Sequence, residues 1–121
     1  MRTREVFVFV RRGREFLVLH RTPENDGYWH GVAGGVEDDE GWDDAAAREL
    51  REETGLVVEP SALDHRFVYE AVTVACYLAD APAGWEPTLN DEHDEYRWCT
   101  ADEAEALLYW PEPRDLLRTL A

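Results

Sequence analysis

Several residue types are scarce or missing from the 121-residue chain, and the absences narrow its function. The chain contains no Lys, Ile or Gln, so Arg supplies all 12 basic residues, which we interpret as a compositional bias without mechanistic meaning. Acidic residues outnumber basic ones 27 to 12, whereas proteins that bind nucleic acids usually have the opposite balance. We therefore expect no nucleic-acid partner, and a net charge of −15 means that a polyphosphate needs cations to approach the chain.

Long apolar runs and cysteines are also scarce. The longest apolar runs, Val6–Val10 and Ala71–Ala75, fall far short of the roughly 20 residues that a membrane helix needs. We see no apolar segment followed by a small-residue cleavage site, so we expect no signal peptide and a cytoplasmic location. Cys76 and Cys99 are isolated, and we expect reduced thiols rather than a disulfide. The length and the 45% of hydrophobic residues predict a single domain over residues 1–121.

Apolar and β-branched segments predict the strands. The patterns E-V-F-V-F-V-R and E-F-L-V-L-H-R are typical of buried strands, and the R-G-R turn between them predicts a hairpin. A short third strand is expected to be interrupted by Gly34-Gly35, and the region after residue 65 forms either one long bent strand or two. The predicted strands are Glu5–Arg11, Glu15–Arg21, Tyr28–Val32, Arg66–Glu70 with Ala71–Ala79, and Tyr96–Cys99.

Strong helix formers predict a helix over Trp42–Thr54, which Gly41 precedes at the N-cap and Gly55 ends. The capping box T-A-D-E at Thr100 predicts a second helix through about Leu108. Pro111 and Pro113 are expected to break the chain before a short terminal helix, Arg114–Leu120. Because strands and helices are interleaved, the predicted class is α/β or α+β with a mixed sheet.

Three carboxylates fall on one face of the first predicted helix. Glu49, Glu52 and Glu53 occupy positions i, i+3 and i+4, where exposed like charges repel by a few tenths of a kcal/mol per pair. A hard divalent cation such as Mg²⁺ relieves this repulsion, because it prefers carboxylate and water oxygens. Glu40 joins the cluster if the preceding loop folds back, and Arg48 is placed to orient one carboxylate. The string R-E-L-R-E-E alone also fits a solvated acidic helix face.

The wider spacing decides between these alternatives. From Gly34 to Leu56 the chain follows G-x5-E-x7-R-E-L-x-E-E-x-G-L. This pattern resembles the complete Nudix box, and its chance occurrence has a probability of about 10⁻⁶. The strings L-H-R and Y-W-H before the box, and E-Y-R-W and D-E-A after it, also resemble the family. One departure is Ala33, where many members have Pro, and we expect it to loosen the adjacent turn slightly.

The resemblance implies a fold and a mechanism. It implies the Nudix fold, a mixed sheet between helices, and a hydrolase in which water attacks phosphorus in a nucleoside diphosphate linked to another group. It also implies that Glu49, Glu52 and Glu53 are catalytic and hold Mg²⁺, for which Mn²⁺ is expected to substitute. The string E-H-D-E-Y-R-W from Glu92 resembles the dinucleoside-polyphosphate and dihydroneopterin-triphosphate hydrolase branches. Glu92 is therefore a catalytic candidate, as base or additional ligand, whereas a solvated loop is the alternative.

The substrate-binding candidates lie mainly before the box. Arg21 is a candidate phosphate contact, and Tyr28 and Trp29 are candidates for stacking on a base, as is Trp85. Surface exposure for Arg21 and core packing for Trp29 are the alternatives. Gly34 and Gly35 are expected to form a tight turn that approaches the ligand closely. No histidine has zinc-like spacing.

Two other classes of protein also fit parts of the sequence. A non-catalytic nucleotide sensor on the same fold is disfavoured by the intact glutamates. An acidic Ca²⁺-binding or interaction domain is disfavoured because the chain lacks the D-x-[DN]-x-[DN]-G loop of an EF-hand. The expected partner is a nucleotide-like polyphosphate, and a homodimer is possible.

Overall fold

The computed structural model describes residues 3–120 and contains seven strands and three α-helices in that range. Four strands precede the first α-helix, and a single turn of 3-10 helix, Pro23–Asn25, separates the second from the third. The elements are β1 Arg4–Arg12, β2 Glu15–Arg21, β3 Trp29–His30, β4 Val32–Gly35, α1 Trp42–Thr54, β5 Ser61–Tyr69, β6 Val72–Asp80, β7 His93–Cys99, α2 Ala101–Leu107 and α3 Pro111–Leu120.

The strands form one mixed sheet with the order β3-β2-β1-β6-β5. β1 runs parallel to β6 along its whole length, while the other pairs are antiparallel. Outside this order, β4 pairs with the first half of β1, and β7 pairs with β2. The predicted mixed sheet and α+β class are therefore confirmed.

β1 is buried on both faces because helices cover the sheet from both sides. Its residues Val6–Val10 are at most 4% exposed. Val6, Val8 and Val10 belong to a core with Leu50 of α1. The alternate residues, Phe7 and Phe9, belong to a second core with α2 and α3. The period of two in a strand explains this division, and it confirms the expected layer of sheet between helices.

α1 begins and ends at the predicted residues. Gly41 has extended backbone at the N-cap, and Gly55 adopts a left-handed conformation with φ of 83°. The Gly55 N–H donates to the Arg51 carbonyl at 2.9 Å, which closes the helix. The capping box that opens α2 is also confirmed, since Thr100 and Glu103 each bond to the other's backbone.

Two predictions about backbone breaks are wrong. Gly34 and Gly35 lie within β4, and the strand break falls at Gly31, whose Cα approaches the Phe7 ring so closely that a side chain would overlap it. Pro111 and Pro113 do not break the chain but occupy the first turn of α3. Proline is favourable there because the first turn has no intrahelical use for its N–H groups.

Other boundaries differ in extent. The region after residue 60 forms two strands, β5 and β6, joined at Glu70 and Ala71, which both have positive φ as a tight hairpin turn requires. β7 begins three residues earlier than expected, at His93. Cys76 and Cys99 are buried free thiols. Within residues 3–120, no helix has the length and apolar character needed to span a membrane.

Candidate active site

The first part of the candidate site is the contact between α1 and β4. Glu49 and Glu53 face β4 and are only 8% and 2% exposed. Gly34 is essential to this contact, because a Cβ at that position would overlap the Glu49 carboxylate. The Glu53 Oε1 atom accepts a hydrogen bond from the Ala33 N–H at 3.4 Å. The expected close approach of Gly34 therefore occurs within the strand, against a carboxylate, and not in a turn.

Burial and mutual proximity perturb both carboxyl groups. Burial is the main cause that raises the pKa of Glu49 and of Glu53. The two side chains share a hydrogen bond, and the neighbouring Glu49 raises the pKa of Glu53 further. Glu92 also raises the pKa of Glu53, so Glu92 lies within electrostatic range of the pair. Two buried oxygen-donor groups held together in this way fit a hard divalent cation, whose charge would favour their ionised forms.

Arg48 organises the acidic residues around this pair. Its Nε and Nη2 atoms bond both carboxylate oxygens of Glu40, at 2.8 and 3.0 Å. Its Nη1 atom donates to Glu49 at 2.9 Å and to Glu52 at 3.2 Å. The Gly35 carbonyl accepts a further bond from Nη2 at 2.9 Å. A single guanidinium thus ties the loop before α1 to two carboxylates of the helix and to β4.

Glu52 is placed differently from the other two predicted ligands. Its side chain is 49% exposed and lies at the rim, beside Arg48. Within residues 3–120, no three acidic, histidine or cysteine side chains are grouped closely enough to form a ready-made metal cage. Glu49 and Glu53 are therefore brought together, and Glu52 would need to turn from Arg48 to join them.

The loop before β7 completes the site. The Thr88 N–H donates to the carbonyl of Thr54 at the end of α1, and the Thr22 N–H donates to the carbonyl of Glu92 at 3.0 Å. These contacts hold the loop beside the end of α1 and hold Glu92 beside the end of β2. His93 follows, with its Nε2 atom 3.8 Å from Glu53 Oε1. Burial, reinforced by Arg21, lowers the pKa of His93 to about 4, so the ring is neutral at pH 7.

The predicted substrate-binding residues divide into two groups. Arg21 lies 5.4 Å from the centre of the Tyr28 ring, and its charge lowers the pKa of His93, so it borders the carboxylate site. Tyr28 stacks on Tyr109 with ring centres 4.5 Å apart. Trp29 is instead half-buried and packs against the core beneath α2 and α3. Trp85 packs against the core on the α1 side.

Sequence reasoning missed His93 and Tyr109. The position of His93 directly after Glu92 is a signal that the sequence offers, although the histidines lack zinc-like spacing. Tyr109 gave no signal, because it comes from the connection between α2 and α3 and reaches Tyr28 only through the fold. It is 59% exposed, and its N–H bonds to the Trp29 carbonyl at 3.2 Å.

Comparisons with known proteins agree with this architecture. A family model described as the NUDIX domain matches residues 1–120, so the chain belongs to the Nudix family. It is similar to the structure of an Ap4A hydrolase from C. elegans in a binary complex, with 26% identity, a TM-score of 0.83 and coverage of 96% and 94% of the two chains. A dihydroneopterin triphosphate pyrophosphohydrolase from E. coli shares the fold, with a TM-score of 0.87, 21% identity and coverage of 98% and 94%.

Curated relatives are longer than this chain. The chain is 35% identical over 108 residues to a protein named octanoyltransferase from Myxococcus xanthus, which covers 81% of this chain but 30% of that protein. Across this and two other curated relatives, the chain spans 30% to 40% of their length. These matches therefore establish the domain family, and not the activity of the longer proteins.

Proposed function

We propose that this protein hydrolyses a phosphoanhydride bond in a nucleotide-like substrate with the help of Mg²⁺. The observation that carries the proposal is the buried pair Glu49 and Glu53, which is packed against the side-chain-free backbone of Gly34. A buried carboxylate pair is costly for a fold unless a cation compensates it. The Ap4A hydrolase that this chain resembles supports the substrate class.

Glu49 and Glu53 would hold the metal, and Glu52 would join them at the rim. When bound, Mg²⁺ supplies neutralising charge for the phosphate oxygens and the leaving group. Arg48 keeps Glu49 and Glu52 in place through its hydrogen bonds. Since phosphoryl transfer depends chiefly on positioning and charge, this arrangement of fixed groups is appropriate for the reaction.

Other residues of the chain would bind the substrate and move the proton. Arg21 donates from Nε to the Asn25 carbonyl at 2.7 Å and pairs with no carboxylate within residues 3–120, so the charge of its guanidinium is available to a phosphate. The stacked rings of Tyr28 and Tyr109 offer an exposed aromatic surface to a base. Glu92 is exposed beside the pair and would accept the proton of the attacking water, or would bind the metal as an additional ligand.

A nucleotide panel tests the proposal. The purified protein would be incubated with nucleoside triphosphates, dinucleoside polyphosphates and dihydroneopterin triphosphate, with either Mg²⁺ or excess EDTA. We expect release of phosphate or pyrophosphate in Mg²⁺ and none in EDTA. Glu49→Gln should abolish release, whereas Asp102→Asn, which removes an exposed charge on α2, should not. Full activity in EDTA would refute the metal site, and nucleotide binding without product would favour the sensor.

A further inference from the structure

His93 carries a buried polar atom that the fold does not satisfy. Its side chain is only 1% exposed, and within residues 3–120 its Nε2 atom has no hydrogen-bond partner. The nearest carboxylate oxygen, Oε1 of Glu53, is 3.8 Å away, which is too far for a direct hydrogen bond. Because buried polar atoms are nearly always paired, this orphan atom at the edge of the candidate site calls for a specific partner.

The hydrogen bonds of Asn90 determine which ring nitrogen carries the proton. The Asn90 Oδ1 atom accepts a bond from the Glu92 N–H at 3.3 Å, and a backbone N–H is only ever a donor. That bond fixes the orientation of the Asn90 amide, so the same oxygen also accepts from Nδ1 of His93 at 3.0 Å. Nδ1 of the neutral ring therefore carries the hydrogen, and Nε2 is left as a bare acceptor.

An irregularity in β7 aims the ring inward. Glu95 pairs with His20, but the next pair along the strand is His93 with Arg21, so Asp94 is an extra residue. Asp94 is exposed and bonds to His20 at 2.7 Å, whereas His93 is turned into the interior. Bulges of this kind commonly redirect a side chain beside an active site.

We propose that His93 is a positioning residue whose Nε2 atom accepts a hydrogen bond from the attacking water molecule next to Glu53, in a tautomer that Asn90 imposes. A water oxygen about 2.8 Å from Nε2 can also lie beside Glu53 Oε1, because the two protein atoms are 3.8 Å apart. Such a water donates one hydrogen to Nε2, and its second hydrogen is the proton that the candidate base, Glu92, would accept. Asn90 also holds the backbone of Glu92, so it links the ring to the candidate base. The inference rests on the proposed function, since the water it places is the nucleophile of that reaction.

The tautomer is tested first, without any substrate. Nitrogen-15 NMR of the histidine rings in EDTA is expected to show the His93 proton on Nδ1. Asn90→Ala removes the acceptor, so the proton should shift towards Nε2, whereas Asn90→Asp keeps an acceptor and should retain the native tautomer. A proton on Nε2 in the unaltered protein overturns the proposal whatever the activity is.

Kinetics then test the role of the atom. His93→Leu should lower kcat by about 10- to 100-fold, the usual effect of losing the alignment of a reacting group, with KM changed less than about threefold. His93→Gln places a side-chain oxygen near the Nε2 position and should restore most of kcat. Equal kcat in the two variants would show that the ring only fills space. Mn²⁺ affinity should be unchanged in both variants, and a marked loss in both would make His93 a ligand instead.

The two proposals fail in different ways. If the Nδ1 tautomer is found but no nucleotide is hydrolysed, the proposed function is refuted, and the role of His93 in positioning the nucleophile is refuted with it. If hydrolysis occurs but the tautomer or the Gln rescue is absent, only the role of His93 is refuted. Melting temperatures of all four variants check that each one is folded.

Discussion

Replacing Glu53 by Gln should make the metal-free protein more stable and at the same time inactive. Glu53 is 2% exposed, and both burial and the neighbouring Glu49 raise its pKa well above the ordinary value of 4.5. A carboxyl whose pKa is higher in the folded than in the unfolded state binds more protons when folded. Stability therefore falls as the pH rises from about 4.5 towards the folded value.

The size of this effect follows from the pH difference. In EDTA at pH 7 the folded Glu53 stays largely protonated, while the unfolded chain loses this proton. The pH lies about 2.5 units above the unfolded pKa, and each unit corresponds to about 1.4 kcal/mol. The buried Glu53 therefore lowers the free energy of unfolding at pH 7 by about 3 kcal/mol. The Gln amide has nearly the same shape, does not ionise and still donates to Glu49. At roughly 4 °C per kcal/mol, the melting temperature should rise by about 12 °C at most.

Thermal unfolding and turnover are measured on the same samples. Mg²⁺ should stabilise the native protein, because it binds only the folded state, and should stabilise Glu53→Gln much less. Turnover at saturating Mg²⁺ should fall at least about 100-fold in this variant. Glu52→Gln is the matched control: its side chain is half-exposed, so its melting temperature in EDTA should barely change. If Glu53→Gln is no more stable than the native protein in EDTA, burial of Glu53 does not destabilise the fold, and if the variant retains near-normal turnover, Glu53 is not a metal ligand.

Three further predictions concern individual side chains. If Glu92 is the base, Glu92→Gln should lower kcat by about 100- to 10,000-fold and leave the Mg²⁺ affinity unchanged. If Glu92 is a ligand, the variant should lower both kcat and the Mg²⁺ affinity. A Mg²⁺ titration in which kcat and affinity are both unchanged excludes either role. His30 is 2% exposed, and burial lowers its pKa from 6.5 to about 3, so its contribution to stability is present above pH 6.5 and is lost as the pH falls. His30→Phe should therefore reduce the loss of stability between pH 6 and 4 by about 1 kcal/mol per pH unit, measured by urea unfolding, and an unchanged slope would contradict the burial argument. Arg48→Ala should weaken Mg²⁺ binding by about tenfold in a calorimetric titration, since Glu49 and Glu52 lose their shared anchor; unchanged affinity would show that the anchor is dispensable.

Local chemistry explains which elements could be predicted from the sequence. α1 was placed at its correct ends because two glycines border a run of helix formers, and these determinants act within a few residues. The prediction for Pro111 and Pro113 is wrong because proline both ends a helix and starts one, and the choice depends on the packing of α3 against the sheet. The prediction of a turn at Gly34 is wrong for a similar reason, because its lack of a side chain permits a contact with Glu49, 15 residues away.

The same difference between local determinants and contacts between distant residues applies to the candidate site. The helical period predicts that Glu49 and Glu53 share one face of α1. It does not distinguish them from Glu52, which lies at the exposed rim. Contacts between distant segments, such as Tyr28 with Tyr109, depend on the tertiary fold and leave no periodic trace in the sequence. The assignment of catalytic, metal and substrate roles to these residues stays a prediction, as do the cytoplasmic location and a homodimer.

The parallel pairing of β1 with β6 has a consequence for how the chain folds. The paired residues are about 70 positions apart, and α1 lies between them, so a long loop must close before the central strand gains this partner. Chains are synthesised at about 5 to 20 residues per second, so β1 is without this partner for roughly 4 to 14 s until β6 has been synthesised. During that time Val6–Val10 is a short apolar β-forming segment without proline, the kind of segment that aggregates when exposed. Arg4, Arg11 and Arg12 flank it closely, and we expect them to act as charged gatekeepers that keep nascent chains apart until the sheet closes.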